Sequence, residues 1–83
     1  MKPDDPEPIR VEIFSTLRRF ARGGETRFAL PWKEEMVAQD VLDYLSIPDT
    51  AERVILINRR HGNENTPLAP GDLVILFPPL TGG

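Results

Sequence analysis

Ile9, Val11 and Ile13 alternate with Arg10 and Glu12, so an extended chain here turns three β-branched residues to one face. A second alternating run, Glu25-Thr26-Arg27-Phe28-Ala29-Leu30, sends Phe28 and Leu30 to one side. Between the two, Leu17 to Arg22 is basic and leads into Gly23-Gly24, a turn signal. The pair therefore reads as a hairpin with a long connection. Pro31 ends the second strand because it has no N–H to give to a ladder. The period then changes: Ala38, Val41, Leu42 and Leu45 recur every three or four residues, with Gln39, Asp40 and Asp43 on the other side. That spacing predicts an amphipathic helix of two to three turns, with Glu34 and Glu35 near its positive end and Ile47-Pro48 closing it. Val37 stands at the helix start, where it has no side-chain acceptor for a cap.

Two later runs are apolar without alternation. Val54-Ile55-Leu56-Ile57 and Leu73-Val74-Ile75-Leu76-Phe77 predict strands covered on both faces. The polar segment from Asn58 to Thr66 contains Gly62 and reads as a loop with room for one short edge strand. Pro70-Gly71-Asp72 is a turn, and Pro78-Pro79 ends the last strand. The order hairpin, helix, strand, loop, strand fits an α+β domain of the β-grasp type. It is a mixed sheet of four to five strands, the first and last strands central, with one main helix packed across it. A helix this short is marginal alone and needs the sheet. The expected organisation is a disordered acidic, proline-rich lead-in over residues 1–8, a domain over 9–80 and a flexible tail over 81–83.

Composition narrows the function classes. The chain has 83 residues, enough for one small domain, and is 40% hydrophobic. It has no cysteine, which removes disulfides, thiolate catalysis and thiolate metal sites, and its one histidine, His61, rules out a His-rich metal site. The net charge of −3 argues against a general nucleic-acid binder. No apolar run approaches the length of a membrane span, and the first residues lack the apolar stretch of a signal peptide. The expectation is a cytoplasmic protein with no membrane partner.

The most informative segment is Pro78-Pro79-Leu80-Thr81-Gly82-Gly83, directly after the last strand. Two glycines make a thin, pliable tail able to thread a narrow channel and deliver a carboxylate to a distant active site. Docking must offset the ordering of that tail, at about 1–2 kcal/mol per residue fixed. Phe77, Pro78, Pro79 and Leu80 are the obvious anchors, with Phe77 alternatively directed into the domain's own core.

Four segments carry a resemblance. Phe14-Ser15-Thr16-Leu17-Arg18, Ala38-Gln39-Asp40-Val41-Leu42, Leu68-Ala69-Pro70-Gly71-Asp72-Leu73-Val74 and Phe77-Pro78-Pro79-Leu80-Thr81-Gly82-Gly83 together resemble the ubiquitin-like sulfur carriers of the MoaD/ThiS type. The ending looks more like that of the small subunit of molybdopterin synthase than like the thiamin thiazole carrier. The segment between helix and third strand is closer in length to the thiamin carriers.

The resemblance implies that an adenylating, E1-like activating enzyme uses ATP and Mg²⁺ to adenylate Gly83. A sulfur donor such as a cysteine desulfurase or rhodanese-like protein then converts it to a thiocarboxylate. Thr81 and Gly82 would thread the partner's active site, and Phe77, Pro78, Pro79, Leu80 and Arg18 would dock on partners. Those partners include the large catalytic subunit of molybdopterin synthase. By the same resemblance the chain is a carrier and not itself an enzyme, with no permanently bound cofactor or metal. Three alternatives stay open: a carrier for thiamin thiazole or another sulfur-containing product, a ubiquitin-like modifier joined to proteins through Gly83, and a plain interaction domain whose Gly-Gly is incidental.

The remaining candidates read as structural. Arg19 and Arg22 are expected in a solvated loop, as are Arg59, Arg60 and His61. Trp32 is expected to cover the seam between helix and sheet, and Asp72 to serve its turn.

Overall fold

The computed structural model describes residues 5–79. Five strands form one sheet: β1 (Ile9–Ile13), β2 (Arg27–Leu30), β3 (Val54–Ile57), β4 (Arg60–Gly62) and β5 (Leu73–Phe77). One helix, α1 (Ala38–Leu45), lies between β2 and β3 in sequence. The strand order is β2-β1-β5-β3-β4, so the last strand is central. β1 pairs with β2 antiparallel and with β5 parallel, while β3 is antiparallel to both β5 and β4. This is the β-grasp arrangement expected from the order of periodicities.

The core lies between α1 and one face of the sheet. Ile9, Val11 and Ile13 of β1, Val74 and Leu76 of β5, and Ile55 and Ile57 of β3 are buried against Ala38, Val41, Leu42 and Leu45. Every second residue of β3 and β5 follows this rule, which corrects the expectation of strands covered on both faces. Val54, Leu56, Leu73, Ile75 and Phe77 are only half-buried and lie on the opposite, uncovered face. An apolar run without alternation reflects here one face for the core and one apolar face left open.

The connections hold the helix in place. Val37 does lack a side-chain cap, and the neighbouring loop supplies acceptors instead. Ala38 N–H donates to Thr66 C=O at 3.0 Å and Gln39 N–H to Glu64 C=O at 2.8 Å. The Asp40 carboxylate accepts from Val37 N–H at 2.8 Å, making it the acid of the first turn. Glu34 and Glu35, expected in that role, sit in a turn before the helix, with Glu35 at φ 63°. The helix ends one step before Ile47-Pro48, at Ser46, which takes the left-handed conformation with φ 59° and ψ 36°. Trp32 packs half-buried against the core and its indole N–H donates to Leu68 C=O at 2.7 Å. Asp72 accepts from Ala69 N–H and from the Asn58 amide, which locks the turn entering β5.

Candidate functional site

The site is the rim of the sheet where β5 ends. Because β1 and β5 run parallel, with Ile13 opposite Leu76, both strands finish at the same edge. Phe14 N–H donates to Leu76 C=O at 2.9 Å, so Phe14 continues the alignment one step further, level with Phe77. Phe14 is 43% exposed, the largest exposure of any big apolar side chain among the described residues. Sequence reasoning quoted Phe14 within a motif but gave it no role. Its place directly after a strand of alternating Ile, Val and Ile was the available signal, because continuing the alternation turns it away from the core.

Arg18 lies in the 3₁₀ turn Ser15–Phe20 that follows, exposed, with its Nε donating to Ser15 C=O at 3.3 Å. That turn is anchored by Leu17, which is buried. The structure thus brings Phe14, Arg18, Phe77 and Pro78 to one rim. Phe77 belongs to the uncovered face and not to the core, since buried Leu76 precedes it in the alternation. Pro78 and Pro79 are half-buried. Pro79 lies over a hollow of 330 Å³ walled by Ala51, Arg53 and Glu64 and rimmed by Asp49 and Glu52. Leu80, Thr81, Gly82 and Gly83 lie outside the described residues.

The uncovered face extends inward from this rim. The register places Glu12 beside Ile75, Ile75 beside Leu56, and Leu56 beside His61. A strip of Leu73, Ile75, Phe77, Leu56 and Val54 therefore runs along the middle of the sheet. Arg10, Glu12 and Arg27 border it on one side, and His61 of β4 on the other. An apolar centre with a charged border is the composition of a protein-docking surface.

The other basic residues divide. Arg19 stacks its guanidinium over Phe20 at 4.9 Å. Arg22, expected in a solvated loop, reaches across to α1: its guanidinium sits 4.7 Å over the Tyr44 ring and donates to Tyr44 C=O at 3.3 Å. It serves the negative end of the helix. Among the described residues no group of His, Asp or Glu is placed to hold a metal ion, and no helix is long and apolar enough to cross a membrane.

A model of the ThiS family matches residues 11–83. The chain belongs to the ThiS family. Solved structures agree in fold. SAMP1 from Haloferax volcanii matches with a TM-score of 0.72 at 21% identity, covering 92% of this chain and 99% of that one. A putative molybdopterin converting factor, subunit 1, from Pyrococcus furiosus gives 0.72 at 20% identity, over 89% and 99%. A complex of subunits 1 and 2 of molybdopterin-converting factor from Helicobacter pylori gives 0.60 at 24%, over 92% and 99%. No curated protein matches the sequence. Membership of the ThiS family and the shared five-strand sheet with its one main helix agree on a β-grasp domain.

Proposed function

We propose that the chain is a sulfur carrier of molybdopterin synthesis, loaded at Gly83 and delivered by docking of the β5 rim. The observation that carries this reading is the central position of β5. A tail rooted on the best-supported strand of the sheet leaves a rigid body, and Phe14, Phe77, Pro78 and Arg18 surround its root. In this reading an activating enzyme uses ATP and Mg²⁺ to join the Gly83 carboxylate to AMP, which gives the acyl carbon a good leaving group. The persulfide of a donor protein, a cysteine desulfurase or rhodanese-like protein, then displaces AMP to give an acyl disulfide, and a thiol reductant cleaves its S–S bond to leave the thiocarboxylate. Tethering the sulfur to a docked protein raises its concentration at the acceptor. The Helicobacter pylori complex, in which a subunit 1 is bound to a subunit 2, supports a large catalytic subunit as the docking partner here. The chain itself acts as carrier, with Thr81 and Gly82 threading the partner and no chemistry of its own.

The test is intact mass of the chain, with and without its activating enzyme, ATP and a sulfur donor. The expected result is exchange of one oxygen for sulfur, located on Gly83 and abolished when Gly83 is deleted. Sulfur transfer by the Gly83-deleted chain at the normal rate overturns the reading. A second reading, a protein modifier conjugated through Gly83, is favoured by the match to SAMP1, described as a small archaeal modifier protein. It predicts higher-mass conjugates in extract of the source cells.

A further inference from the structure

The chain carries ten basic side chains, and only Lys2 and Lys33 among them are lysines. A guanidinium stays protonated and is no acyl acceptor, whereas a lysine amine is a nucleophile. Stable side-chain amide formation on this chain is therefore confined to two positions. Lys33 has a definite setting. Its side chain is 68% exposed, in the connection between β2 and α1. It stands at the mouth of a 460 Å³ hollow walled by Leu30, Pro31, Met36 and Tyr44. Asp40 is divided between two tasks there: one oxygen accepts from Val37 N–H at 2.8 Å, and the other faces Lys33 Nζ at 3.9 Å.

The hollow lies beside a free strand edge. Ile13 N–H donates to Thr26 C=O, so in the antiparallel register Val11–Phe28 and Ile9–Leu30 are the hydrogen-bonded pairs. Arg27 and Ala29 then turn their N–H and C=O groups outward, where no other described strand pairs with them. An edge of this kind binds an extended segment through its backbone, which suits a segment poor in side chains.

We propose that this groove takes the C-terminal tail of a second copy, and that Lys33 is the amine acylated by the second copy's Gly83. The proposal rests on the modifier reading. Leu80 supplies one apolar side chain for the hollow, and Thr81-Gly82-Gly83 the slim end that reaches the amine. The chain's own tail falls short. Leu30 is opposite Ile9, at the far end of the sheet from Phe77, and two strands away from β5. That separation is about 19 Å at ~3.3 Å per residue and ~4.8 Å per strand. Pro79 leads away from it, toward Ala51 and Arg53 beside β3. Residues 80–83 span at most about 14 Å. The reaction consumes Gly83 as its acyl-adenylate, made from ATP by the activating enzyme. The Nζ lone pair attacks the acyl carbon and the C–O bond to the phosphate breaks. AMP leaves with that electron pair, and the amide forms as Nζ gives up two protons by way of Asp40 to water, one before the attack to free the lone pair and one after it.

The test uses the full chain prepared as a C-terminal α-thioester, incubated with itself, followed by mass spectrometry of proteolysed dimers. The expected product is a branched peptide on Lys33, at least about tenfold above that on Lys2, as expected when docking raises local concentration. Lys33→Arg removes the dimer while leaving Gly83 loading intact. Equal acylation of both lysines, or an undiminished dimer from Lys33→Arg, overturns the proposal. Extract of the source cells with ATP separates the two readings. Conjugates on other proteins with Lys33 unmodified sink the acceptor role alone. Absence of any conjugate, with Lys33 still selected by the thioester, sinks the modifier reading and leaves the docking groove standing.

Discussion

Arg53 ties its own approach, Pro48 to Ala51, to Glu64 eleven residues further on. Its guanidinium donates to Pro48 and Ala51 C=O at 3.1 and 2.9 Å and pairs with Glu64 at 3.0 Å, with only 8% of its side chain exposed. Glu64 belongs to the loop whose carbonyls cap α1, so the pair joins the entry to β3 with the helix start. Removing the cation leaves the Pro48 and Ala51 carbonyls and the Glu64 carboxylate without their donor. Arg53→Ala should therefore cost about 2–4 kcal/mol. Glu64→Gln keeps an acceptor and should cost about 1 kcal/mol. Urea unfolding of both variants checks the ranking. Equal stabilities would mean that the segments are held by packing alone.

At the scale of elements, α1 has eight residues and cannot persist without help. Its help is unevenly distributed. The first turn has Thr66, Glu64 and Asp40 as acceptors and caps, and the last turn has Arg22. The C-terminal residue Ser46 is strained, because a Cβ in the left-handed region crowds the backbone. Ser46→Gly should raise stability by about 0.5–1 kcal/mol, the relief of strain exceeding the extra freedom of glycine in the unfolded chain. Thermal melts would show the gain. A loss would mean that the Ser46 side chain contributes something the backbone geometry does not show. Little of this support was legible in the sequence. The helix and its buried positions follow from apolar spacing. Two of its caps come from Glu64 and Thr66, 25 and 28 positions from the N–H groups they serve, and its basic end from Arg22, which no local pattern connects to Tyr44.

The whole molecule is a sheet with two apolar faces of unequal use. Leu76 points to the core and Phe77 to the open face, one residue apart on the same strand. Leu76→Ala should cost about 2–5 kcal/mol of stability, as cavity-forming core changes do. Phe77→Ala should cost much less and, under the proposed function, should weaken binding to the proposed docking partner by about tenfold or more, the behaviour of an interface anchor. Calorimetry for stability and titration for affinity separate the two. Similar stability losses would return Phe77 to the core. The strand order was legible because turn residues and periodicities fixed the sequence of elements. The open face was not, because Leu73-Val74-Ile75-Leu76-Phe77 is apolar throughout, and hydrophobicity does not distinguish a core neighbour from a docking surface. The rim site required the parallel register of β1 and β5, which brings Phe14 and Phe77 level across more than sixty residues of chain.

That same register governs how the protein is made. The strand that completes the middle of the sheet leaves the ribosome after all the others, so β1 and β3 wait for a shared neighbour throughout synthesis. Contacts this far apart in sequence are slow to form, and unpaired strands are exposed to misassociation meanwhile. A chain cut short before Leu73 has no central strand and no folded body to dock.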